Sequence, residues 1–178
     1  MPQTDYVLKD GRTLVISRAK KEDAAEMLAF LSFVGKETDF LLNDGTLRLT
    51  LEQEEAFLEQ SAQNPLGGIF TGRIEGELVC SFGLTSQSRD RVKHNVTIGL
   101  TVLKKCWGLG IGSALFQYAL AFARETGVLK NMWLDVRADN ERAIALYQKF
   151  GFAQIGRRKN ALFVNGVYYD EILMEVEL

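Results

Sequence analysis

Residues Val96 to Leu120 read VTIGLTVLKKCWGLGIGSALFQYAL, a β-rich run that breaks at a glycine loop and opens directly into an apolar helix. Gly108, Gly110 and Gly112 lack the Cβ atoms that would hold a ligand off the backbone, and glycine reaches φ > 0 without steric cost. A helix starting near Gly112 offers unpaired N–H groups and the positive end of its dipole, which together favour phosphate or pyrophosphate. Taken alone, the triplet is equally compatible with a tight, close-packed strand-to-helix turn.

Downstream, Leu134 to Phe152 reads LDVRADNERAIALYQKFGF. Leu134 and Val136 alternate with Asp135 and Arg137 as in a short strand, and Asp139 or Asn140 is a good N-cap. Ala143, Ile144, Leu146, Tyr147 and Phe150 recur at helical spacing, and Gly151 stands where a helix C-cap is expected. The unit reads strand, capped helix, glycine, strand.

Working outward, Thr13 to Ser17 is a first strand and Lys20 to Val34 a helix. Gly35 to Leu49 mixes charge, aromatics and Asn43-Asp44-Gly45 and reads as a loop. A second helix starts near Thr50, where T-L-E-Q has capping-box spacing, and ends before Asn64-Pro65. Gly68 to Ile74 and Glu77 to Thr85 flank Glu75-Gly76 as an antiparallel hairpin. His94 to Leu103 and Met132 to Val136 are further strands. Ala153 to Gly156 and Val167 to Val176 close the sheet around an Asn165-Gly166 turn.

The 178 residues are 47% hydrophobic, enough for one substantial core. Lys plus Arg number 21 against 23 Asp plus Glu, a net charge of -2 without bias toward nucleic acid. No apolar run reaches membrane-spanning length, the opening MPQTDYVLKDGR is too polar for a secretory signal, and Cys80 and Cys106 read as reduced. The expected location is cytoplasmic. The glycine loop follows an antiparallel meander, unlike a dinucleotide fold, and no G-x-x-x-x-G-K-[ST] string exists. With one His and no clustered Cys, no metal site is expected.

The pair W-G-L-G-I-G and L-x-V-x-x-x-N-x-x-A-x-x-L-Y-x-x-x-G-F resembles the signature segments of the GNAT superfamily of acetyl-CoA-dependent N-acetyltransferases. The likeness extends from about Leu14 to the C-terminus, with the motif region at about 94–152 of a single domain spanning 1–178. It implies a mixed α+β fold, with a mostly antiparallel twisted sheet of about seven strands, about four flanking helices and splayed central strands forming the acyl-CoA cleft. Trp107 stands where the family usually has Gln or Arg, so its side chain cannot donate as theirs do, while the backbone donors remain.

The implied chemistry is direct acetyl transfer from acetyl-CoA to a primary amine of a small molecule or peptide. Backbone groups near Leu100, Val102 and Leu103 would pair with pantetheine, and the loop through Trp107, Gly108, Leu109, Gly110, Ile111, Gly112 and Ser113 would hold pyrophosphate. Asn140, Ala143 and Tyr147 complete the expected cofactor set. Tyr147 is the expected acid for the leaving thiolate, although its spacing also suits an aromatic packing residue. For the base, the aligned strand carries Val96 and Ile98 rather than glutamate. His94 is then the first candidate and Glu37 the second; each also suits an ordinary structural or solvated residue. Asp170 and Glu171 would bind a substrate ammonium or face solvent. The alternatives are an N-terminal or lysine acetyltransferase acting on protein and a non-catalytic CoA-binding module. Neither nucleic acid nor membrane is an expected partner, and a homodimer is compatible with the chain.

Overall fold

The computed structural model describes residues 3–178. Its eight strands are β1 (Thr4–Val7), β2 (Thr13–Arg18), β3 (Gly68–Ile74), β4 (Glu77–Ser86), β5 (Asn95–Val102), β6 (Asn131–Arg137), β7 (Ala153–Val164) and β8 (Val167–Glu177). They form one sheet ordered β1-β2-β3-β4-β5-β6-β8-β7. Four α-helices accompany it: α1 (Ala24–Val34), α2 (Leu51–Ala62), α3 (Ile111–Glu125) and α4 (Glu141–Lys149).

Local chemistry accounts for most element ends. The β3–β4 and β7–β8 turns place Glu75-Gly76 and Asn165-Gly166 at positive φ, the geometry that matches the twist of antiparallel hairpins. Thr50 caps α2 through a reciprocal bond with Gln53. In α4, Asn140 accepts the Ala143 N–H, while Gly151 at φ 88 ends the helix. There the N–H groups of Gly151 and Phe152 close onto Gln148 and Tyr147, the paired bonds of a Schellman ending. The helix expected from Lys20 instead begins with a short 3₁₀ turn at Lys21–Asp23, held by the Asp23 carboxylate on the Lys20 N–H.

β1 adds a strand beyond the expected seven. It is four residues long and half polar, and only its pairing with β2 identifies it. β7 runs on to Val164 rather than stopping at Gly156, with register shifts at Gln154/Gly156 and Arg158/Leu162 that a two-residue period cannot anticipate.

The core joins sheet to α3. Phe70 stacks on Phe82 at 4.8 Å, and both rings meet Tyr118 of α3 edge-on. Further along the same helix, Phe116 packs against Tyr147 and Phe150, tying α4 to α3. Arg18 closes the α2 end, donating to the carbonyls of Ser61, Asn64 and Gly67 while lying over Phe70. No helix among the described residues is long and apolar enough to cross a membrane.

Phe70 is fully buried at the centre of this aromatic group. Phe70→Ala is expected to lower unfolding free energy by about 3–5 kcal/mol, measured by denaturant titration.

Candidate active site

β5 and β6 are parallel neighbours that pair over only three positions, Asn95–Asn131, Val96–Met132 and Thr97–Trp133. From Ile98 onward they diverge. Each strand stays fastened on its other side, β5 to β4 and β6 to β8, through seven positions apiece. The opening is a cleft of about 790 Å³, lined by Ile98 to Val102 of β5, Leu134 to Arg137 of β6, the glycine loop and the inner side of α4.

At one end lies the glycine loop. Gly108 and Gly110 have φ 87 and 97, and a Cβ at Gly108 would enter open space, so nothing but ligand would approach there. Helix α3 has no side-chain cap, and its first internal bond runs from Ala114 N–H to the Gly110 carbonyl. The N–H groups of Ile111, Gly112 and Ser113 therefore precede the helical ladder at the positive end of the dipole. Gly112 also serves packing, since a Cβ there would lie 2.7 Å from Leu146 of α4.

Among the expected cofactor contacts, Leu100, Val102, Trp107, Gly108, Gly110, Ile111, Gly112, Ser113, Asn140, Ala143 and Tyr147 line the cleft together. Leu103 and Leu109 do not. The Leu103 N–H turns away to the Val79 carbonyl and its side chain is buried, while the Leu109 carbonyl accepts from Lys9 N–H on the β1–β2 turn. Trp107 donates its indole N–H to the Val102 carbonyl at 2.9 Å, folding the ring back onto β5.

Tyr147 projects from α4 into the cleft with its ring edge-on to Phe116. Burial pushes its hydroxyl up to about 12, so the phenol remains a proton donor across the physiological range.

The two expected bases fare differently. His94 lies outside the cleft, because it immediately precedes the three paired positions of β5 and β6, and its carbonyl accepts from Lys130 and Asn131. Glu37 is spent on structure: its carboxylate accepts the Lys104 N–H at 2.8 Å, fastening the loop after α1 to the turn after β5. Asp170 is engaged by Arg157 and Asn160, away from the cleft. Glu171 lines it, nearly buried and bonded to Arg158, which also reaches Asp135.

Arg137 is the residue that sequence alternation hid. Reading Asp135 and Arg137 together put both on a polar strand face, yet Arg137 is only 7% exposed. Its guanidinium lies between the rings of Phe40 and Tyr169 at 4.2 and 4.1 Å, holds Asp139, and donates to the Asp39 carbonyl. One side chain thus ties the loop over the cleft to β6 and β8.

The acetyltransferase (GNAT) family pattern matches residues 37–152. The chain belongs to this family. A GNAT acetyltransferase from Streptococcus pneumoniae has the same fold at a TM-score of 0.89 and 32% identity, over 93% of this chain and 99% of that one. The L-amino acid N-acetyltransferase AaaT of Escherichia coli (strain K12) is 27% identical over 72% of this chain and 80% of its own. An N-alpha-acetyltransferase of Sulfurisphaera tokodaii is 32% identical over 58% of this chain. That match spans 60% of the relative, less than two thirds of its length. The GNAT match covers the glycine loop, α4 and the fork between β5 and β6.

Arg137→Met is expected to cost about 1–3 kcal/mol of stability through lost ring contacts and hydrogen bonds. Hydrogen exchange should quicken at residues 38–43, whose anchor it removes.

Proposed function

We propose that the chain acts as one N-acetyltransferase domain over residues 1–178, moving acetyl from acetyl-CoA to a primary amine by direct attack in a ternary complex. The observation that carries this reading is the β5–β6 fork ending on the glycine cradle, with the Tyr147 hydroxyl at its side. Acetyl-CoA fits that shape. Pantetheine would lie along the unzipped edge of β5 as an added strand, and its pyrophosphate would meet the free N–H groups of α3.

In the transfer, the amine nitrogen forms its bond to the thioester carbon as the carbon–sulfur bond breaks. The incoming ammonium first gives a proton to water. After attack the departing thiolate takes the Tyr147 proton, the amide nitrogen's surplus proton leaves to water, and water returns a proton to the phenolate. The phenol is neutral at physiological pH and so has a proton to give; burial keeps it neutral while weakening it as an acid. Glu171 faces the acceptor end of the cleft and would attract the incoming ammonium. His94 has no part in this scheme, and Glu37 acts by holding the loop beside the turn that follows β5.

The acceptor is a small-molecule amine or a peptide N-terminus. The relatives named above act, by their names, on L-amino acids and on α-amino groups, so both classes enter the first substrate screen.

Calorimetry should show saturable acetyl-CoA binding that Gly110→Glu abolishes, because a carboxylate in the cradle repels phosphate and Gly110 holds φ 97. An intact parental chain that ignores acetyl-CoA would end this reading.

Tyr147→Phe should lower kcat at least tenfold with little change in the KM for acetyl-CoA, since only the proton donor is removed. The same variant has a stability signature. The folded phenol ionises at about 12, above its unfolded value, so its contribution is complete below the unfolded pKa and is lost as pH rises through the folded one. Removing the hydroxyl should therefore flatten part of the alkaline decline in Tm, and an unchanged kcat with chemistry rate-limiting would leave Tyr147 a packing residue.

A further inference from the structure

We propose that Lys9 and Arg142 form a cationic clamp across the glycine loop that binds a phosphate group of the CoA nucleotide, replacing the side-chain donor that Trp107 lacks. The inference rests on the acetyl-CoA reading above.

Two elements distant in sequence bring these cations into the lining of one cleft. The β1–β2 turn docks on the loop through the Lys9 N–H, which donates to the Leu109 carbonyl at 3.1 Å. From there the Lys9 side chain passes over Gly110, where an added Cβ would sit 3.7 Å from Lys9 Cγ. From α4, Arg142 in the first turn lays its guanidinium over the Trp107 ring, 4.8 Å from the centroid. Both line the same cleft as Gly108 and Ser113.

Charge accounting separates this pair from its neighbours. Arg12, Lys105, Arg137 and Arg158 each have a carboxylate partner. Among the described residues, neither Lys9 nor Arg142 has an ion-pair partner. Their setting is also unfavourable for cations by themselves. Lys9 lies over the N-cap of α3 and Arg142 sits in the first turn of α4, and a positive charge at the positive end of a helix dipole costs stability. An anion between them reverses the sign of each of those terms. Trp107 contributes as well: with its indole N–H committed to Val102, its ring supplies the platform on which Arg142 rests.

The ligand chemistry is a phosphate group, and CoA carries it in two places, the diphosphate and the 3′-phosphate. Calorimetry of the full chain with CoA and with 3′-dephospho-CoA distinguishes them. Lys9→Met and Arg142→Gln should each weaken CoA binding about 3- to 10-fold, with a larger loss in the double variant. The loss should shrink as salt is raised, and Arg142→Lys should recover part of it. Lys105→Met removes a nearby cation already paired with Glu77 and should change Kd by less than about twofold. A loss seen only with CoA assigns the clamp to the 3′-phosphate, and an equal loss with both ligands assigns it to the diphosphate. If the parent binds CoA while both neutral variants, folded by thermal melting, stay within about twofold of it, the clamp is overturned and the acetyl-CoA reading stands. A parent that binds no CoA overturns both.

Discussion

The functional architecture depends on one incomplete ladder. β5 and β6 share three paired positions and then part, while β4 and β8 hold their outer edges. Because each strand is braced on the far side, the fork persists without collapse, and the inner edge of β5 keeps backbone groups available for an extended ligand. A fully zipped pair would satisfy those groups and close the cleft. Everything assigned to the site is placed by this divergence: the glycine loop leaves the end of β5, and Tyr147 enters from the helix after β6.

The two ends of the cleft differ in electrostatic character. The loop end holds backbone N–H groups of α3 and two cations that, among the described residues, have no ion-pair partner. At the acceptor end, Arg137 and Arg158 are neutralised by Asp139, Asp135 and Glu171. A neutralised guanidinium is an organiser rather than an anion trap. Arg137 illustrates this, since its ring stacking and its bond to Asp39 spend its interactions on positioning the loop. On the proposed reading, anionic ligand groups would meet the loop end and the amine the other.

Much of the fold was legible because its signals are local. Caps, turns and periodicity read within a few residues: Thr50 with Gln53, Asn140 with Ala143, Asn165-Gly166, Gly151. β1 escaped because four residues, half of them polar, carry no period, and the extension of β7 escaped because two register shifts break it. For the site, the glycine loop and Tyr147 were legible as motif, whereas the packing of Gly112 on Leu146 was not, nor that Leu103 and Leu109 face other strands and turns.

The sequence by itself determined most of the elements, the glycine loop at the head of a helix, and the family whose two motifs it carries, because each is written in residues a few positions apart. Tertiary structure alone decided which titratable groups meet the cleft. His94 lies just three residues before Thr97, where the strands still pair, so a candidate close in sequence falls outside. Arg137 bonds to Asp39 across 98 residues, and Lys9 reaches Leu109 from far earlier in the chain. Such neighbours depend on strand order, register and the point at which the ladder ends, and these are set by packing over the whole sheet rather than by any local stretch of chain.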